Sequence, residues 1–523
     1  MKRVQRLGGL LGALLLGSSI ILSSVYAAPA YANAAGTPAA PSGESAVSPA
    51  QSWTPEQIDT YAEAAMQRLH IPGLAVGIVQ DGKVQYTQGY GSAGPGAGPM
   101  TPQTPLAIGS TTKSFTALAI MQLVEEGKVD PEAPVTDYLP SFRLADPSMS
   151  AAITVSDLLH QTSGLSTYQG IAFLAKGKGT LMQHIADLAD VPQKRPAGTA
   201  YEYSNLNYNI LGAIVEQVSG LSYEEYIQQR IFAPIGMTQS FSSPERAKTA
   251  AAERSDLRPA SGHQFLFGWA VPTRAASHTG TIPSGYLVST AEDMSKYLIM
   301  QTEGGTFEGE RLLSADNIAQ MRKPAADMRD GSFYGMGWVV TGDTAGHNGT
   351  TENTYSEMRI RDGYGIFVLA NSVDPLIVGY SGIMPGIDDI LHGRMPSQES
   401  LPDFVKLYAI ADGVAAVIAL LFLWSLLSLL RWRKAFRPTG RRITLNFVLL
   451  FFCNIAFPLL LIRFVSRLAP WDVVVTWAPG IGWGMVALPW LLFITGGIKL
   501  VLMVRAMLTV KRPASSPAAG QAA

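Results

Sequence analysis

The sequence predicts an α+β domain over residues 51–400, followed by three transmembrane helices over residues 404–510. Two strand pairs, each joined by an Asp-Gly dipeptide that is typical of a two-residue hairpin turn, lie near the two ends of the first region. Strands at both ends with helices between them predict an antiparallel sheet that is closed by the two ends of its domain. The helical stretches between the strand pairs lie around 113–127, 154–160, 206–218 and 290–302.

The first helix of the domain has clear boundaries in the sequence. It is expected to begin at Thr54, because a proline at the first helical position and a capping-box Gln57 follow, and to end near Leu69. The predicted hairpins are Leu74–Gln80 with Lys83–Gly89 across Asp81-Gly82, and Tyr355–Arg361 with Gly365–Asn371 across Asp362-Gly363.

The composition excludes several classes of function. The 523 residues carry a net charge of −1, so a basic nucleic-acid-binding protein is not expected. A single cysteine, Cys453, excludes an intramolecular disulfide and a cysteine-based zinc site. The seven histidines lack the spacing of metal ligands. We therefore expect no metal.

A glycine-rich segment follows the first hairpin. Residues 89–94 match the G-x-G-x-x-G pattern of dinucleotide-binding proteins, but Pro95 and Pro99 lie where that fold needs a helix. We interpret the segment as a glycine-rich loop and expect no dinucleotide cofactor.

Three long apolar runs predict the transmembrane region. They are long enough to cross a ~30 Å hydrocarbon core, so the lipid bilayer is an expected partner. A buried soluble helical domain is the alternative interpretation. The runs are Tyr408–Leu430, Ile443–Val465 and part of Val473–Val504.

The distribution of charge predicts the topology. Six basic residues between the first two runs indicate a cytoplasmic loop, and residues 511–523 form a tail on the same side. Residues 35–403 carry a net charge of about −15 and are expected outside. Residues 1–34 agree with export, because basic residues, an apolar run and small residues follow one another as in a signal peptide. An uncleaved N-terminal anchor is the alternative, and residues 35–50 are expected to be a flexible tether.

The first stretch that suggests chemistry is Ser110-Thr111-Thr112-Lys113, an S-x-x-K motif before a helical run. Residues three apart on a helix have Cβ atoms ~5–6 Å apart, so Ser110 is expected beside the Lys113 amine. The ammonium can stabilise an alkoxide, or a neutral lysine can take the serine proton. The alternative is an N-cap serine with a solvated lysine.

The second stretch is Tyr203-Ser204-Asn205, in a loop before a helix at Leu206–Val218. An adjacent lysine ammonium is expected to lower the pKa of the Tyr203 phenol, which could then act as general base toward Ser110. Asn205 could hold a substrate amide. The alternative is loop and N-cap chemistry, with Asn205 as the cap.

The third stretch is Gly346-His347-Asn348-Gly349-Thr350, just before the last hairpin. On an edge strand its backbone could bind an acyl group in extended form and donate an N–H to an oxyanion. The alternative is a strand-entry turn.

Together and in this order, the three stretches resemble the serine β-lactamase and penicillin-binding protein superfamily. The branch that they resemble holds class C β-lactamases, D-aminopeptidases, D,D-peptidases and esterases. The resemblance implies a β-lactamase-like antiparallel sheet flanked by helices, with an all-helical cluster. It covers about residues 55–390 and includes Ile153–Leu159 with Thr162–Leu165, Ser289–Met294 and Tyr334–Trp338.

The resemblance also implies roles for the site residues. Ser110 is the acylated nucleophile, and Lys113 and Tyr203 form the proton-transfer pair, with either as the base. The N–H groups of Ser110 and Thr350 form the oxyanion hole. The reaction is acyl transfer to water through an acyl-enzyme, without metal or cofactor. The implied catalytic residues are Ser110, Lys113 and Tyr203, and the implied substrate-binding residues are Asn205, His347, Gly349 and Thr350.

Two positions depart from the pattern of the superfamily. His347 stands where the third motif often has lysine, and a histidine with a pKa of ~6.5 is only partly charged near neutral pH. This argues against β-lactam hydrolysis and against recognition of a free C-terminal carboxylate, and it favours the D-aminopeptidase and esterase members. Gln161 stands where relatives often have histidine, and the neighbouring His160 is expected to be structural.

We therefore expect a multi-pass protein of the cell membrane whose catalytic domain lies outside the cytoplasm. Its expected activity is that of a serine hydrolase on a cell-envelope ester or amide, in a small molecule or a peptide. A slow-turnover or non-catalytic penicillin-binding-like sensor is the alternative. A transport protein is a third interpretation, disfavoured because the predicted spans hold few ionisable residues. The substrate and the oligomeric state are left open by the sequence.

Overall fold

The computed structural model describes residues 53–374, 380, 382–397, 399, 401–436 and 439–510. The predicted signal peptide, tether and tail at 1–34, 35–50 and 511–523 lie outside the described residues. The described chain divides into two units, 53–408 and 409–510.

The strands of the described residues all lie in the first unit. In chain order they are β1 Gly73–Gln80, β2 Lys83–Gly94, β3 Gly98–Pro99, β4 Leu106–Ala107, β5 Gly262–Leu266, β6 Trp269–Thr273, β7 Val288–Ser289, β8 Thr306–Phe307, β9 Glu310–Arg311, β10 Ala326–Asp327, β11 Phe333–Tyr334, β12 Val339–Thr341, β13 Thr344–Thr350, β14 Tyr355–Arg361, β15 Tyr364–Ala370 and β16 Ser372–Val373.

The α-helices of the described residues occur in both units. In chain order they are α1 Pro55–Leu69, α2 Thr112–Glu125, α3 Val135–Tyr138, α4 Pro147–Ser150, α5 Val155–Leu159, α6 Thr167–Ala172, α7 Leu181–Ala186, α8 Asn205–Ser219, α9 Tyr223–Ile227, α10 Pro244–Glu253, α11 Ile282–Gly285, α12 Ala291–Thr302, α13 Ala315–Met321, α14 Ile383–Leu391, α15 Phe404–Ala435, α16 Gly440–Phe451, α17 Phe457–Leu468, α18 Trp471–Trp477 and α19 Pro479–Val510.

The main sheet confirms the predicted α+β class. Its nine strands have the order β10-β11-β12-β13-β14-β15-β1-β2-β3 and pair in antiparallel fashion. The early strand β1 pairs with the late strand β15, with Leu74 opposite Ala370, so strands from the two ends of the domain close the sheet. The two Asp-Gly hairpins form as predicted, and helix α1 has the predicted capping box at Thr54.

The prediction of a glycine-rich loop at residues 89–94 is wrong. These residues continue strand β2, which ends at Gly94. The glycines let the strand pass close to other backbone: a Cβ at Gly89 would lie 2.4 Å from the Met100 carbonyl oxygen, and one at Gly91 would lie 2.3 Å from that of Pro72. The glycines therefore serve close backbone packing inside a strand.

Alternation along β1 builds two layers on the sheet. Leu74, Val76 and Ile78 pack on one face with α1 and α14. Ala75 and Val79 pack on the other face, in the larger core that contains α2, α8 and α12. Because both faces of β1 are buried, nearly every residue along the strand is apolar. The site elements described below lie on the side of the larger core.

The second unit holds the predicted long apolar helices. Three segments are long and apolar enough to cross a membrane: Phe404–Leu430, which begins in the first unit, Gly440–Leu468 and Pro479–Leu508. Polar contacts join them inside the unit, because Asn454 donates to the Leu492 carbonyl at 2.7 Å and Ser425 hydrogen-bonds Thr495 at 2.7 Å. Large apolar side chains such as Leu420, Leu460 and Trp483 point outward, which favours lipid over water around them.

Candidate active site

Ser110 lies in a tight turn at the start of helix α2. The turn is a 3-10 turn over Gly109–Thr111, and the α-helix begins at Thr112, two residues later than the serine. Gly109 has φ 54°, a left-handed conformation that glycine adopts without strain. The turn therefore presents Ser110, which is partly exposed, ahead of the helix rather than within it.

Lys113 is the centre of the site. Its side chain is completely buried, at 0% exposure. The Nζ atom lies 3.1 Å from Ser110 Oγ, 2.8 Å from Asn205 Oδ1 and 2.5 Å from the Ser284 carbonyl oxygen. The S-x-x-K residues therefore meet as expected, and the alternative of a solvated lysine is wrong because no part of this amine reaches water.

Burial also sets the proton state of this amine. Removal from water holds the pKa of Lys113 well below its ordinary value, because the charged form is disfavoured in a buried site. Two of its three partners, Asn205 Oδ1 and the Ser284 carbonyl oxygen, can only accept a hydrogen bond. In its neutral form the amine can donate two protons to these atoms, which leaves its lone pair available to the Ser110 hydroxyl.

Tyr203 completes the group around Ser110. Its ring centroid lies 4.8 Å from Lys113 Nζ, and its hydroxyl makes a hydrogen bond with the Ser110 side chain. Burial raises the pKa of the phenol, and the bond to Ser110 opposes this only in part. The predicted lowering of the Tyr203 pKa is therefore wrong, because the cost of burying a phenolate outweighs the stabilisation by the hydrogen bond with Ser110.

Asn205 is placed by the start of helix α8. It is the first helical residue, and Ser204 rather than Asn205 occupies the N-cap position. Its side-chain oxygen is thus free of a capping role and accepts from Lys113. Gln161 positions this segment, because its side-chain oxygen accepts from the Ser204 backbone N–H at 2.9 Å and from Asn207 at 2.5 Å.

Strand β13 brings the third predicted stretch against the nucleophile turn. A Cβ at Gly109 would lie 2.4 Å from the Thr350 nitrogen, and one at Gly349 would lie 2.7 Å from the Ser110 nitrogen. Only glycine at both positions lets the turn and the strand approach this closely. The backbone nitrogens of Ser110 and Thr350 therefore lie side by side at the serine.

The expected edge strand exists only in part. Strand β13 is internal to the sheet order, but β12 pairs only with Thr344, Ala345 and Gly346. Residues 347–350 pair with β14 alone, so no strand of the described residues lies on their other side. The strand-entry turn considered as an alternative is wrong, since the whole stretch is strand.

His347 is buried and uncharged. Its Nδ1 atom lies 2.6 Å from the Asn348 carbonyl oxygen, and its Nε2 atom lies 3.2 Å from the Tyr334 hydroxyl. Burial and the adjacent Lys113 lower the pKa of His347 to about 3. Its ring centroid lies 6.2 Å from that of Tyr203, so the imidazole lies close to the phenol. With a pKa of about 3 the imidazole carries no positive charge near neutral pH.

Several residues of this region carried no usable signal in the sequence. Ser284 contributes only its backbone carbonyl, which every residue type has. Tyr334 lies in the Tyr334–Trp338 phrase that carried the resemblance, but nothing in that phrase predicts its contact with His347. His160 lies at the C-terminal end of helix α5. Its Nδ1 atom is 2.9 Å from the Ser156 carbonyl oxygen of the same helix, as expected for a structural histidine.

A buried acid–histidine pair lies beside these segments. His278 Nε2 is 2.5 Å from Glu352 Oε1, and Tyr286 stacks on the His278 ring at 3.8 Å between centroids. Burial and Glu352 raise the pKa of Tyr286 well above its ordinary value. The pair joins the segment that carries Ser284 to the end of strand β13. Among the described residues, no group of three or more His, Cys, Asp or Glu side chains could hold a metal ion.

The fold and this arrangement define a protein of the β-lactamase type. The sequence profile of the Beta-lactamase family matches residues 58–377, which is more than half of the chain, and the chain belongs to this family. The identification confirms the resemblance drawn from the motifs.

The relatives found by sequence are penicillin-binding proteins and related proteins. The chain is 30% identical over 318 residues to Penicillin-binding protein 4 of Amycolatopsis lactamdurans, over 57% of this chain and 79% of that protein. It is 29% identical over 325 residues to Protein flp of Staphylococcus aureus, over 60% of this chain and 62% of that protein. The chain thus spans less than two thirds of the length of flp.

Solved structures show the same fold. The octameric penicillin-binding protein homologue from Pyrococcus abyssi superposes with a TM-score of 0.55 at 29% identity, over 67% of this chain and 80% of that chain. FmtA from Staphylococcus aureus shares the fold with a TM-score of 0.54 at 24% identity, over 65% of this chain and 89% of that chain.

Proposed function

We propose that the protein is a membrane-anchored serine hydrolase that acts outside the cytoplasm on a cell-envelope ester or amide. Ser110 is the nucleophile and forms an acyl-enzyme. The observation that carries the proposal is the completely buried Lys113 amine, 3.1 Å from the Ser110 hydroxyl oxygen and fixed by two acceptors on its other sides. A lysine held in this way is suited to remove a proton from serine.

In the first step Ser110 Oγ attacks the substrate carbonyl carbon, and its proton passes to the Lys113 amine. Lys113 is the base in this proposal, because burial lowers its pKa while burial raises that of Tyr203. The Tyr203 hydroxyl donates its proton to the leaving oxygen or nitrogen, and the resulting phenolate takes the proton that Lys113 received from Ser110. The carbon–leaving-group bond then breaks and leaves an ester on Ser110.

The negative charge of the tetrahedral intermediate lies where the two backbone nitrogens of Ser110 and Thr350 meet. Two preorganised N–H donors at such a position are worth ~2.7–4 kcal/mol each in related acyl-transfer sites. Water then attacks the acyl-enzyme by the reverse route, with Lys113 again as base. The Asn205 amide group lies beside the acyl carbonyl and orients it.

The substrate class follows from the charge of the site. A free C-terminal carboxylate needs a cation, whereas His347 has a pKa of about 3 and is neutral, and Lys113 is buried and disfavours its charged form. We therefore propose an ester or an amide without a free carboxylate at that end, in an envelope small molecule or peptide. The three apolar segments and the basic residues between the first two support the membrane location and the outer side of the domain.

The test uses the purified full chain in detergent, with D-alanyl esters, simple esters, D-amino-acid amides, D-alanyl-D-alanine peptides and a chromogenic cephalosporin. We expect turnover of esters or amides, little turnover of the peptides with a free carboxylate, and loss of activity in Ser110→Ala. Ser114→Ala is the matched control, because Ser114 is buried in the same helix and donates to the Thr111 carbonyl oxygen at 2.9 Å. An acyl-enzyme that forms and persists for hours would support the sensor instead, and turnover that survives in Ser110→Ala would contradict the proposal.

A further inference from the structure

The β5–β6 hairpin carries an exposed apolar surface at its turn. We call Leu266, Phe267, Trp269 and Val271 the aromatic tip. Trp269 is 77% exposed and Phe267 is 54% exposed. None of the four side chains contributes to the site around Ser110, and exposed apolar patches mark surfaces that contact a protein, a ligand or a membrane.

The turn of this hairpin differs in its first residue from the two Asp-Gly turns of the main sheet. Asp81-Gly82 and Asp362-Gly363 have positive φ at both residues, with φ 51° and 47° at the aspartates. Phe267-Gly268 repeats this backbone, with φ 51° at Phe267. A left-handed conformation is far better tolerated by Asp or Asn than by a bulky aromatic residue. The turn therefore keeps an exposed phenylalanine where local conformational preference and solvent both favour a polar residue.

The inner side of the hairpin fixes the position of the aromatic tip. Phe265 packs against Phe404 at 5.2 Å and against Tyr408 at 5.8 Å between ring centroids. Gly268 faces the Tyr408 ring, since a Cβ there would lie 3.7 Å from it. Phe404 and Tyr408 form the first turns of helix α15, so the aromatic tip lies next to the beginning of the first candidate membrane span.

Helix geometry gives the depth of this point. The span runs to Leu430, after which basic residues follow. A helix crosses the hydrocarbon core with about 20 residues, so its outer boundary falls near residue 410. At a rise of 1.5 Å per residue, Phe404 and Tyr408 then lie within about 10 Å of that boundary. This is the headgroup layer, where tryptophan and other aromatic side chains are favoured.

We propose that the aromatic tip binds the interfacial layer of the bilayer that helix α15 crosses. The tip is a second attachment of the domain to the membrane surface, beside the covalent one at Tyr408. Two attachments restrict how the domain turns about the helix and so fix the direction in which the site at Ser110 faces. The inference rests on the proposed membrane insertion of α15, and the experiment separates the two.

The experiment uses the full chain in lipid nanodiscs, with Cys453→Ser to remove the native thiol. Single cysteines carry a small environment-sensitive fluorophore at Trp269→Cys, at Phe267→Cys or at one of two control positions. Leu420→Cys is the membrane control, because Leu420 is 63% exposed in the middle of the first span. Val84→Cys is the water control: Val84 is an exposed apolar residue about 30 Å along β2 from Ala93, whose carbonyl accepts from Ser261 at the base of the hairpin.

We expect labels at 269 and 267 to emit as in an apolar medium and to be quenched at least twofold more by lipids with a shallow nitroxide than by lipids with a deep one. The label at 420 should show the opposite order, and the label at 84 should be quenched by neither. Thermal unfolding checks that each variant keeps the parent fold. If the label at 420 is quenched while the labels at 269 and 267 behave like the label at 84, the aromatic tip is in water. That result overturns the inference and leaves the proposed membrane insertion of α15 intact. If 420 is not quenched either, both proposals fail.

Discussion

At the scale of single residues, the protonation of two neighbouring groups determines how the site works. Lys113 and Tyr203 both contact Ser110, and burial shifts their pKa values in opposite directions. Burial favours the neutral form of each, an amine that can accept a proton and a phenol that can donate one. This division of roles could not be derived from the sequence, because S-x-x-K and Y-x-N give the residues but not the absence of water around them.

The pH dependence of acylation tests this division. The rate of acylation by a fluorophosphonate should rise with pH, since the neutral amine is the active form. The midpoint of this rising limb should lie below the ordinary lysine pKa of ~10.4. Tyr203→Phe should lower the rate about 10²–10⁴-fold and leave the limb in place. Lys113→Met should abolish both the limb and most of the rate. A limb that disappears in Tyr203→Phe instead would identify the phenol as the base.

His347 is expected to make the protein sensitive to acid. Its folded-state pKa is about 3, below the ~6.5 of an unfolded chain, so the unfolded state binds more protons between these values. The unfolding free energy therefore decreases as pH falls through this window, by on the order of a few kcal/mol from this residue.

The comparison of the full chain with His347→Gln measures this effect. The melting temperature of the parent should fall more steeply than that of the variant between pH 7 and pH 4, because glutamine does not titrate. Parallel curves for the two proteins would show that His347 is not held neutral by the fold.

At the scale of elements, the site depends on the close approach of a turn and a strand. Gly109 and Thr350 are 241 positions apart in the numbering, yet a Cβ on the glycine would overlap the Thr350 nitrogen, at 2.4 Å. The sequence predicted that the three stretches act together only through the resemblance. It did predict the hairpins and α1, because Asp-Gly turns and capping boxes act over a few residues. It mistook residues 89–94 for a loop, because the glycines serve close contacts with Pro72 and Met100 that no local pattern reveals.

Gly109→Ala tests this approach. The added methyl group forces the turn and strand β13 apart, so acylation of Ser110 should fall at least ~10²-fold, the loss typical of one oxyanion donor. Gly342→Ala is the matched control, because Gly342 also has a positive φ of 59° but has nothing within 4 Å of its Cβ position. Backbone strain alone would slow acylation in both variants, whereas separation of the turn from strand β13 would slow it only in Gly109→Ala. Equal acylation rates for the two variants would contradict the account.

At the scale of the whole molecule, the globular domain extends into the first apolar helix. His70 stacks on Phe404 at 4.1 Å, and Phe404 and Tyr408 are buried in the core beside α1 and α14. The sequence placed the end of the domain at residue 400, because the apolar run that begins near 404 looks the same whether its first turns face protein or lipid.

The melting temperatures of two truncated chains should show where the domain ends. A chain that stops after Tyr408 keeps both aromatic rings, and burial of each is worth ~1.5–3 kcal/mol. A chain that stops after Asp403 loses both and should melt several degrees lower. Identical melting temperatures would show that the first turns of α15 do not belong to the core of the domain.

The most direct test of the account is the position of the acyl group. The full chain is treated with a fluorophosphonate or an activated ester, digested, and mapped by mass spectrometry, alongside Ser110→Ala and Ser114→Ala. The account predicts one adduct on the peptide that contains Ser110, absent in Ser110→Ala and retained in Ser114→Ala. An adduct on another residue, or none on an intact and folded chain, would contradict it.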